Sequence, residues 1–232
     1  MNDLSDFTIT KRWPPANPDF LQLYSLPTPN GVKVSLMLEE TGIPYEAHRI
    51  DITKGESRNE AFVSLNPNGK IPAIIDPHGP DGRPIGLAES CAILFYLADK
   101  SGQLLSHEPQ RRYETIQWVI WQVSAVGPMF GQVGYLAKFE GGEIKDKRPL
   151  AHYVDESKRL LAVLETRLEK GLWIMGHDYS IADIATLGMV RNLIDFYAEG
   201  ELVGFAKFTQ VKAWLERGLS RPAVATGILI PA

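Results

Sequence analysis

The sequence predicts a small α/β domain followed by an all-helical one, and three observations carry that prediction. Over the first hundred residues short apolar runs alternate with helical periodicity. Asp81-Gly82 turn chemistry joins two of those runs, and beyond residue 107 hairpin signals stop while long helical patterns take over. At roughly 150 residues per domain, a chain of 232 residues has room for two small cores.

The first run, Phe20 to Tyr24, is ended by Pro27 and Pro29 and reads as a strand. Val34, Leu38 and Thr41, with Met37 between them, fall at helical spacing; Asn30 stands where an N-cap is expected, Gly42 follows the end and Pro44 prevents continuation. Tyr45 to Ile52 reads as a second strand, so the first fifty residues form one βαβ unit, for which a right-handed crossover is the rule. Residues 53 to 66 are polar and suit a loop with a short helix. Asn68 to Asp76 carries a third strand whose Pro72 belongs where no ladder donor is needed. Pro77 to Arg83 turns the chain into a fourth strand near Pro84 to Leu87, and Glu89-Ser90 opens a helix with Ile93, Leu94 and Leu97 on one face and Gly102 at its end.

In the second half, one helical pattern runs from Glu108 to about Lys138 with an interruption at Gly127-Pro128, and another runs from about Pro149 to Lys170 with a Leu160, Leu161, Leu164, Leu168 stripe. A third begins at Ser180, where Ser180 and Asp183 have capping-box spacing and Tyr179 is set to staple onto Ile184. A fourth covers about Phe208 to Arg217. The expected organisation is an arm over 1–19, an α/β domain over 20–101 and a helical domain over 107–232.

Composition narrows the function. With 28 acidic against 24 basic residues the formal charge is −4, and no basic run would track a phosphate backbone, which argues against a nucleic-acid partner. No stretch approaches the ~18 apolar residues of a membrane span, and the first twenty residues lack a signal-peptide core, so a soluble cytoplasmic protein is expected. Cys91 is the single cysteine, which excludes an internal disulfide, a CxxC redox pair and a thiolate zinc cluster. There is no GxGxxG, P-loop, GxSxG or HExxH pattern, and the five histidines never stand at metal-ligand spacing; no metal is expected.

Two backbone features remain. A cis bond at Ile71-Pro72 would turn the Ile71 N–H and C=O outward to pair with an extended peptide, although a strand-edge proline is the ordinary reading. Glu89-Ser90 at a helix start offers N–H groups and a dipole for a carboxylate, and a side-chain carboxylate for an ammonium, which together fit an α-amino acid head group; a plain Ser N-cap is the structural alternative.

Taken together, Thr28-Pro29-Asn30-Gly31 after the first strand, LEETGIPYE from Leu38, LNPNGKIPAI from Leu65, Glu89-Ser90, and YSIADIA from Tyr179 resemble the glutathione transferases, in order from about Phe20 to Pro222. The Thr-Pro-Asn-Gly run resembles more narrowly the bacterial nu class, relatives of the globular domain of the yeast nitrogen-regulator prion protein. The resemblance implies a thioredoxin-like N-terminal domain with an all-α C-terminal domain, a homodimer, and glutathione as co-substrate. It implies that Thr28 and Asn30 lie against the sulfur, that Ile71 before Pro72 pairs with the cysteinyl part, and that Glu89 and Ser90 hold the γ-glutamyl group. Where many nu-class sequences have a Gln and an Arg this chain has Ser57 and His152, leaving Lys70, Arg58 or Arg148 for the remaining carboxylates. Gln132 and Tyr135 are expected at the second-substrate cleft, and the arm with Trp13 is expected to pack across a second subunit or the cleft rim.

The implied activity is a glutathione-dependent disulfide-bond oxidoreductase acting on a small-molecule disulfide, two glutathiones supplying the thiols that this chain lacks. Conjugation to an electrophile or reduction of an organic hydroperoxide is the enzymatic alternative, and a non-catalytic regulatory dimer the other. No cationic side chain is evident beside the sulfur position. Ser25 is the second choice of sulfur partner; Tyr24, Cys91, Trp118 and Trp121 are read as core, and Asp183 as a folding residue.

Overall fold

The computed structural model describes residues 3–197 and 200–232, which fold as two compact units, 1–103 with 222–232 and 104–221. The first is a thioredoxin-like α/β unit. Its strands are β1 (Leu21–Ser25), β2 (Tyr45–Arg49), β3 (Ala73–Asp76) and β4 (Ile85–Ala88), in the order β2-β1-β3-β4. β1 runs parallel to β2, and the β1–β3 and β3–β4 pairs are antiparallel. The helices are α1 (Gly31–Thr41), the single-turn α2 (Glu60–Val63) and α3 (Ser90–Ser101). Both long helices stop at a glycine in the left-handed region, Gly42 and Gly102, each with φ 68°, as their C-terminal positions predict.

β1 and β3 are buried along their whole length, which explains why Leu21-Gln22-Leu23-Tyr24 shows no alternation: both faces are covered. The third strand is shorter than its sequence pattern, beginning only at Ala73, because Pro72 has no N–H for the ladder.

The two ends of the chain depart from expectation. The segment from Asp3 to Trp13 packs onto its own unit. Leu4, Phe7 and Ile9 are buried in one cluster with Tyr24, Ile50, Phe62 and Ile75, and Trp13 packs edge-on against Tyr24 at 6.4 Å. Two short 3-10 turns, Leu4–Asp6 and Thr8–Lys11, set these side chains on one side, a period the helix and strand templates both miss. At the other end, residues 222–232 pack with the first unit rather than ending the helical domain. The Ser35 hydroxyl donates to the Gly227 carbonyl at 2.6 Å, and a Cβ on Gly227 would meet Leu36 at 3.0 Å.

The second unit is all-helical: α4 (Pro109–Trp121), α5 (Gly127–Lys138), α6 (Arg148–Leu168), α7 (Ile181–Arg191) and α8 (Thr209–Leu219), while α9 (Pro222–Gly227) belongs to the first. Gly127-Pro128 does not break the long pattern. A π-helical stretch, Gln122–Val126, bridges α4 and α5, and the proline occupies the first turn of α5, where its missing N–H costs least. The capping box forms as the spacing predicts, with the Ser180 N–H donating to Asp183 and the Ala182 N–H to Ser180. Asp183 does more than cap: fully buried, it also accepts the Ile174 N–H and the Trp214 Nε1–H, each at 2.9 Å.

Candidate active site

The register of the sheet assembles the site. Tyr24 near the end of β1 lies opposite Ala73, the first residue of β3, and Ala73 lies opposite Ala88, the last of β4. With strands ~4.8 Å apart, the loop after β1, the residues before β3 and those after β4 emerge at one sheet end within a span of about 10 Å. These three stretches carry Thr28 to Asn30, Ile71-Pro72 and Glu89-Ser90. α1 and α3 both start at this end, so two positive dipole ends meet there.

In the first stretch the Thr28 hydroxyl accepts the Gly31 N–H at 3.3 Å and the Thr28 carbonyl accepts the Val32 N–H at 2.9 Å. Thr28 therefore does the capping that the sequence assigns to Asn30. Asn30 makes no side-chain cap; its Oδ1 instead accepts from Lys33 Nζ at 3.0 Å. With both oxygens accepting, the two side chains have left an O–H and an N–H2, and among the described residues neither donates elsewhere. Two donors with no acceptor between them suit an anion such as a thiolate. Gly31 makes this tight turn possible, because a Cβ there would stand 1.9 Å from the Leu26 carbonyl oxygen and 2.6 Å from Ser25 Oγ.

In the second stretch the Ile71–Pro72 bond is cis. Pro72 is buried and Ile71 half-buried, and among the described residues the Ile71 N–H and C=O have no turn or side-chain partner. In the third, Glu89 is an exposed residue held at φ 64°, ψ 106° ahead of Ser90, the first residue of α3. A non-glycine residue in that region costs of order 1–3 kcal/mol and persists where the surrounding structure imposes it. Neither Glu89 nor Ser90 is a plain N-cap: the Glu89 side chain makes no cap hydrogen bond.

Lys33 is the residue that sequence reasoning missed. It is 1% exposed, with Nζ 3.0 Å from Asn30 Oδ1 and 3.8 Å from Cys91 Sγ on α3. Burial pushes its pKa down, and Cys91 and Glu89 pull it back up. Burial likewise raises the Cys91 thiol, against the pull of Lys33 and a hydrogen bond with Ser90. A signal was present in the sequence. From Gly31 to Leu38 every residue is buried, and a helix turn apolar all round leaves no wet face for the lysine among Val32, Val34 and Leu36.

The other candidates sort by burial. Ser25 is fully buried beneath Gly31 with its hydroxyl toward the Leu26 carbonyl, and Tyr24 is fully buried and stacked on His48 at 4.7 Å, so neither is open to a ligand from this end. Lys70 is exposed next to Ile71, its carbonyl tied by Asn66 Nδ2 at 2.6 Å, while Ser57 is buried. Arg148 is paired with Asp146 at 2.6 Å. In the second unit Gln132 and Tyr135 stand three residues apart, both exposed, on α5. Trp118 and Trp121 are half-buried and meet edge to face at 5.1 Å. Among the described residues no His, Cys, Asp or Glu group is arranged to hold a metal ion.

Comparison with known proteins supplies the family. Residues 28–100 match the glutathione S-transferase N-terminal domain and residues 128–222 the glutathione S-transferase C-terminal domain. The disulfide-bond oxidoreductase YfcG of Escherichia coli is 41% identical over 211 residues, covering 90% of this chain and 94% of that protein. A glutathione transferase from Pseudomonas putida, solved with one glutathione disulfide per subunit, is 54% identical with a TM-score of 0.98 over the whole of both chains. One from Burkholderia graminis, solved with two glutathione molecules per subunit, is 60% identical with a TM-score of 0.97, covering 100% of this chain and 96% of that one. By sequence over both units and by fold over its full length, the chain belongs to the glutathione S-transferase family.

Proposed function

We propose that this protein is a glutathione-dependent disulfide-bond oxidoreductase. The observation that carries the reading is the pair of donors left over at Thr28 and Asn30, in a polypeptide whose single cysteine is 7% exposed, so the reacting thiols come from glutathione. The Ile71 backbone pairs with the cysteinyl part of glutathione, Glu89 and Ser90 take the γ-glutamyl ammonium and carboxylate, and Lys70 lies beside them as a counter-charge for a further carboxylate. Gln132 and Tyr135 serve the second substrate. The relatives solved with glutathione disulfide or with paired glutathiones support this reading.

A free thiol of pKa ~8.5 is only a few per cent ionised at neutral pH. The hydroxyl, the amide and the start of α1 favour its anion, and each unit of lowering corresponds to about 1.4 kcal/mol. One glutathione thiolate attacks a sulfur of the substrate disulfide, forming a mixed disulfide and releasing one substrate thiolate. A second attacks the glutathione sulfur of that mixed disulfide, forming glutathione disulfide and releasing the other. The two protons lost by the glutathiones end on the two product thiols, so no protein thiol is oxidised.

The protein works as a homodimer in the cytoplasm, where glutathione is held reduced. Tyr113 and Ile120, 71% and 50% exposed and two turns apart on α4, supply apolar surface for a second copy, and among the described residues no helix is long and apolar enough to cross a membrane. The test is reduction of hydroxyethyl disulfide with glutathione, read through glutathione reductase and NADPH. Turnover that persists in Cys91→Ala is expected. No glutathione-supported reduction, or faster turnover with a chlorinated aromatic acceptor, would overturn the assignment.

A further inference from the structure

We infer that Lys33 is the positioning residue of the sulfur site, holding the Asn30 carboxamide from behind so that its Nδ2–H2 faces the glutathione sulfur. The inference rests on the glutathione reading above and adds a buried group that never touches substrate. An asparagine amide is nearly symmetric in shape but not in chemistry: turned one way it offers a thiolate two donors, turned the other an acceptor that repels it. Asn30 is exposed, and packing alone does not choose between the two. Lys33 does, because its Nζ can only donate to Asn30 and so captures Oδ1, at 3.0 Å.

Lys33 is itself held. It sits one turn beyond Asn30 on α1, 1% exposed, and its Nζ reaches Cys91 Sγ at 3.8 Å on α3. Ser90, the chain neighbour of Cys91 at the start of α3, in turn acts on the Cys91 thiol. A continuous polar run therefore passes beneath the site from Ser90, beside the γ-glutamyl end, through Cys91 and Lys33 to Asn30 at the sulfur. Among the described residues, Cys91 and Glu89, both at the start of α3, act on Lys33; α9, also packed on α1, is Pro222–Gly227 and carries no titratable side chain. Burying an amine costs free energy that Met, similar in length and apolar, would not incur, so its retention here calls for a role other than stability.

The test is a double-mutant cycle on the full-length protein with Lys33→Met, Asn30→Ala and the double variant. Each is checked for folding by urea denaturation, with Lys33→Gln as the donor that keeps the hydrogen bond without the charge. Two readouts are taken: the pKa of the bound glutathione thiol from thiolate absorbance near 240 nm, and kcat and KM for a model disulfide. Lys33→Met is expected to raise the bound-thiol pKa by about one unit and lower kcat about tenfold at pH 7 with KM for glutathione little changed, Lys33→Gln to recover most of this, and Lys33→Met to add less than twofold in the Asn30→Ala background. An unchanged thiol pKa in Lys33→Met, or an equal effect with and without Asn30, would overturn the inference. Failure of the wild-type protein to bind glutathione would instead overturn the reading beneath it, and the two failures are distinguished by the wild-type titration.

Discussion

Replacing Asp183 tests whether burial or hydrogen bonding dominates a carboxylate at the centre of the helical unit. The side chain is fully buried and accepts four hydrogen bonds: Ile174 N–H and Trp214 Nε1–H at 2.9 Å, Ser180 N–H at 3.0 Å and the Ser180 hydroxyl at 3.2 Å. Burial is the larger influence and raises the pKa from 3.8 to about 6, against the lowering effect of the donors. An acid with a raised folded pKa binds more protons folded than unfolded between those two values. Its favourable contribution is therefore fully present below pH 3.8 and is lost as pH rises through about 6. The difference of roughly two units corresponds to about 3 kcal/mol. Asp183→Ala removes the acceptor of three buried N–H groups, at ~1–3 kcal/mol each, so a loss of order 3–9 kcal/mol is expected, a large part of the ~5–15 kcal/mol of a typical domain. Asp183→Asn keeps an acceptor for Ile174 and Trp214 but turns an N–H2 toward the Ser180 N–H. Its penalty should be smaller at pH 7.5 than at pH 4 by about 2–3 kcal/mol, because only the wild type loses stability over that interval. Urea unfolding followed by fluorescence measures this, four of the five tryptophans lying in the second unit. A penalty that stays flat or grows with pH would refute the reasoning, since it would mean that four donors outweigh desolvation.

Two further outcomes concern the first unit. Gly31→Ala places a methyl 1.9 Å from the Leu26 carbonyl oxygen, so the Thr28–Asn30 turn must shift; about 1–3 kcal/mol of stability and at least tenfold in disulfide-reductase kcat/KM should be lost, read from a thermal melt and steady-state kinetics. Glu89→Gly relieves a residue held at φ 64° while deleting the carboxylate; the melting temperature should rise, by the equivalent of about 1 kcal/mol, while KM for glutathione increases at least tenfold, and a variant that loses both stability and affinity would show that the conformation is not strained.

The parts of the fold that were legible in the sequence are those where local chemistry and tertiary packing agree. Gly42 and Gly102 end their helices because only a residue without a Cβ enters the left-handed region freely, and Ser180 with Asp183 forms the box its spacing announces. The arm was not legible, because Leu4, Phe7 and Ile9 lie on 3-10 turns whose spacing fits neither a strand nor an α-helix, amid polar neighbours. Nor was the return of residues 222–232 to the first unit, since its evidence is the 2.6 Å contact between Ser35 and Gly227, residues far apart in the chain. Single-sequence periodicity carries no information about such pairings.

The candidate site divides in the same way. Glu89-Ser90, Ile71-Pro72 and the Thr28–Asn30 turn come together because two antiparallel pairings, Tyr24 with Ala73 and Ala73 with Ala88, bring three loops to one end of the sheet. Sequence order and the family's motifs single these residues out as candidates; their hydrogen bonding bears on what each one can do. Asn30 occupies the N-cap position, so its side chain reads as a cap, yet Thr28 has already taken the Gly31 N–H and freed the carboxamide for Lys33. A lysine inside an apolar helix turn is costly enough that it needs a partner on a neighbouring element, and here the partner is the single cysteine of α3. The two residues the sequence would assign to solvent and to core thus form a pair that links Asn30 on α1 to the start of α3, and on the proposed reading the two ends of the site. Substitutions at Cys91 and Lys33 should accordingly be coupled to each other and to Asn30, although the proposed thiol chemistry makes no use of Cys91.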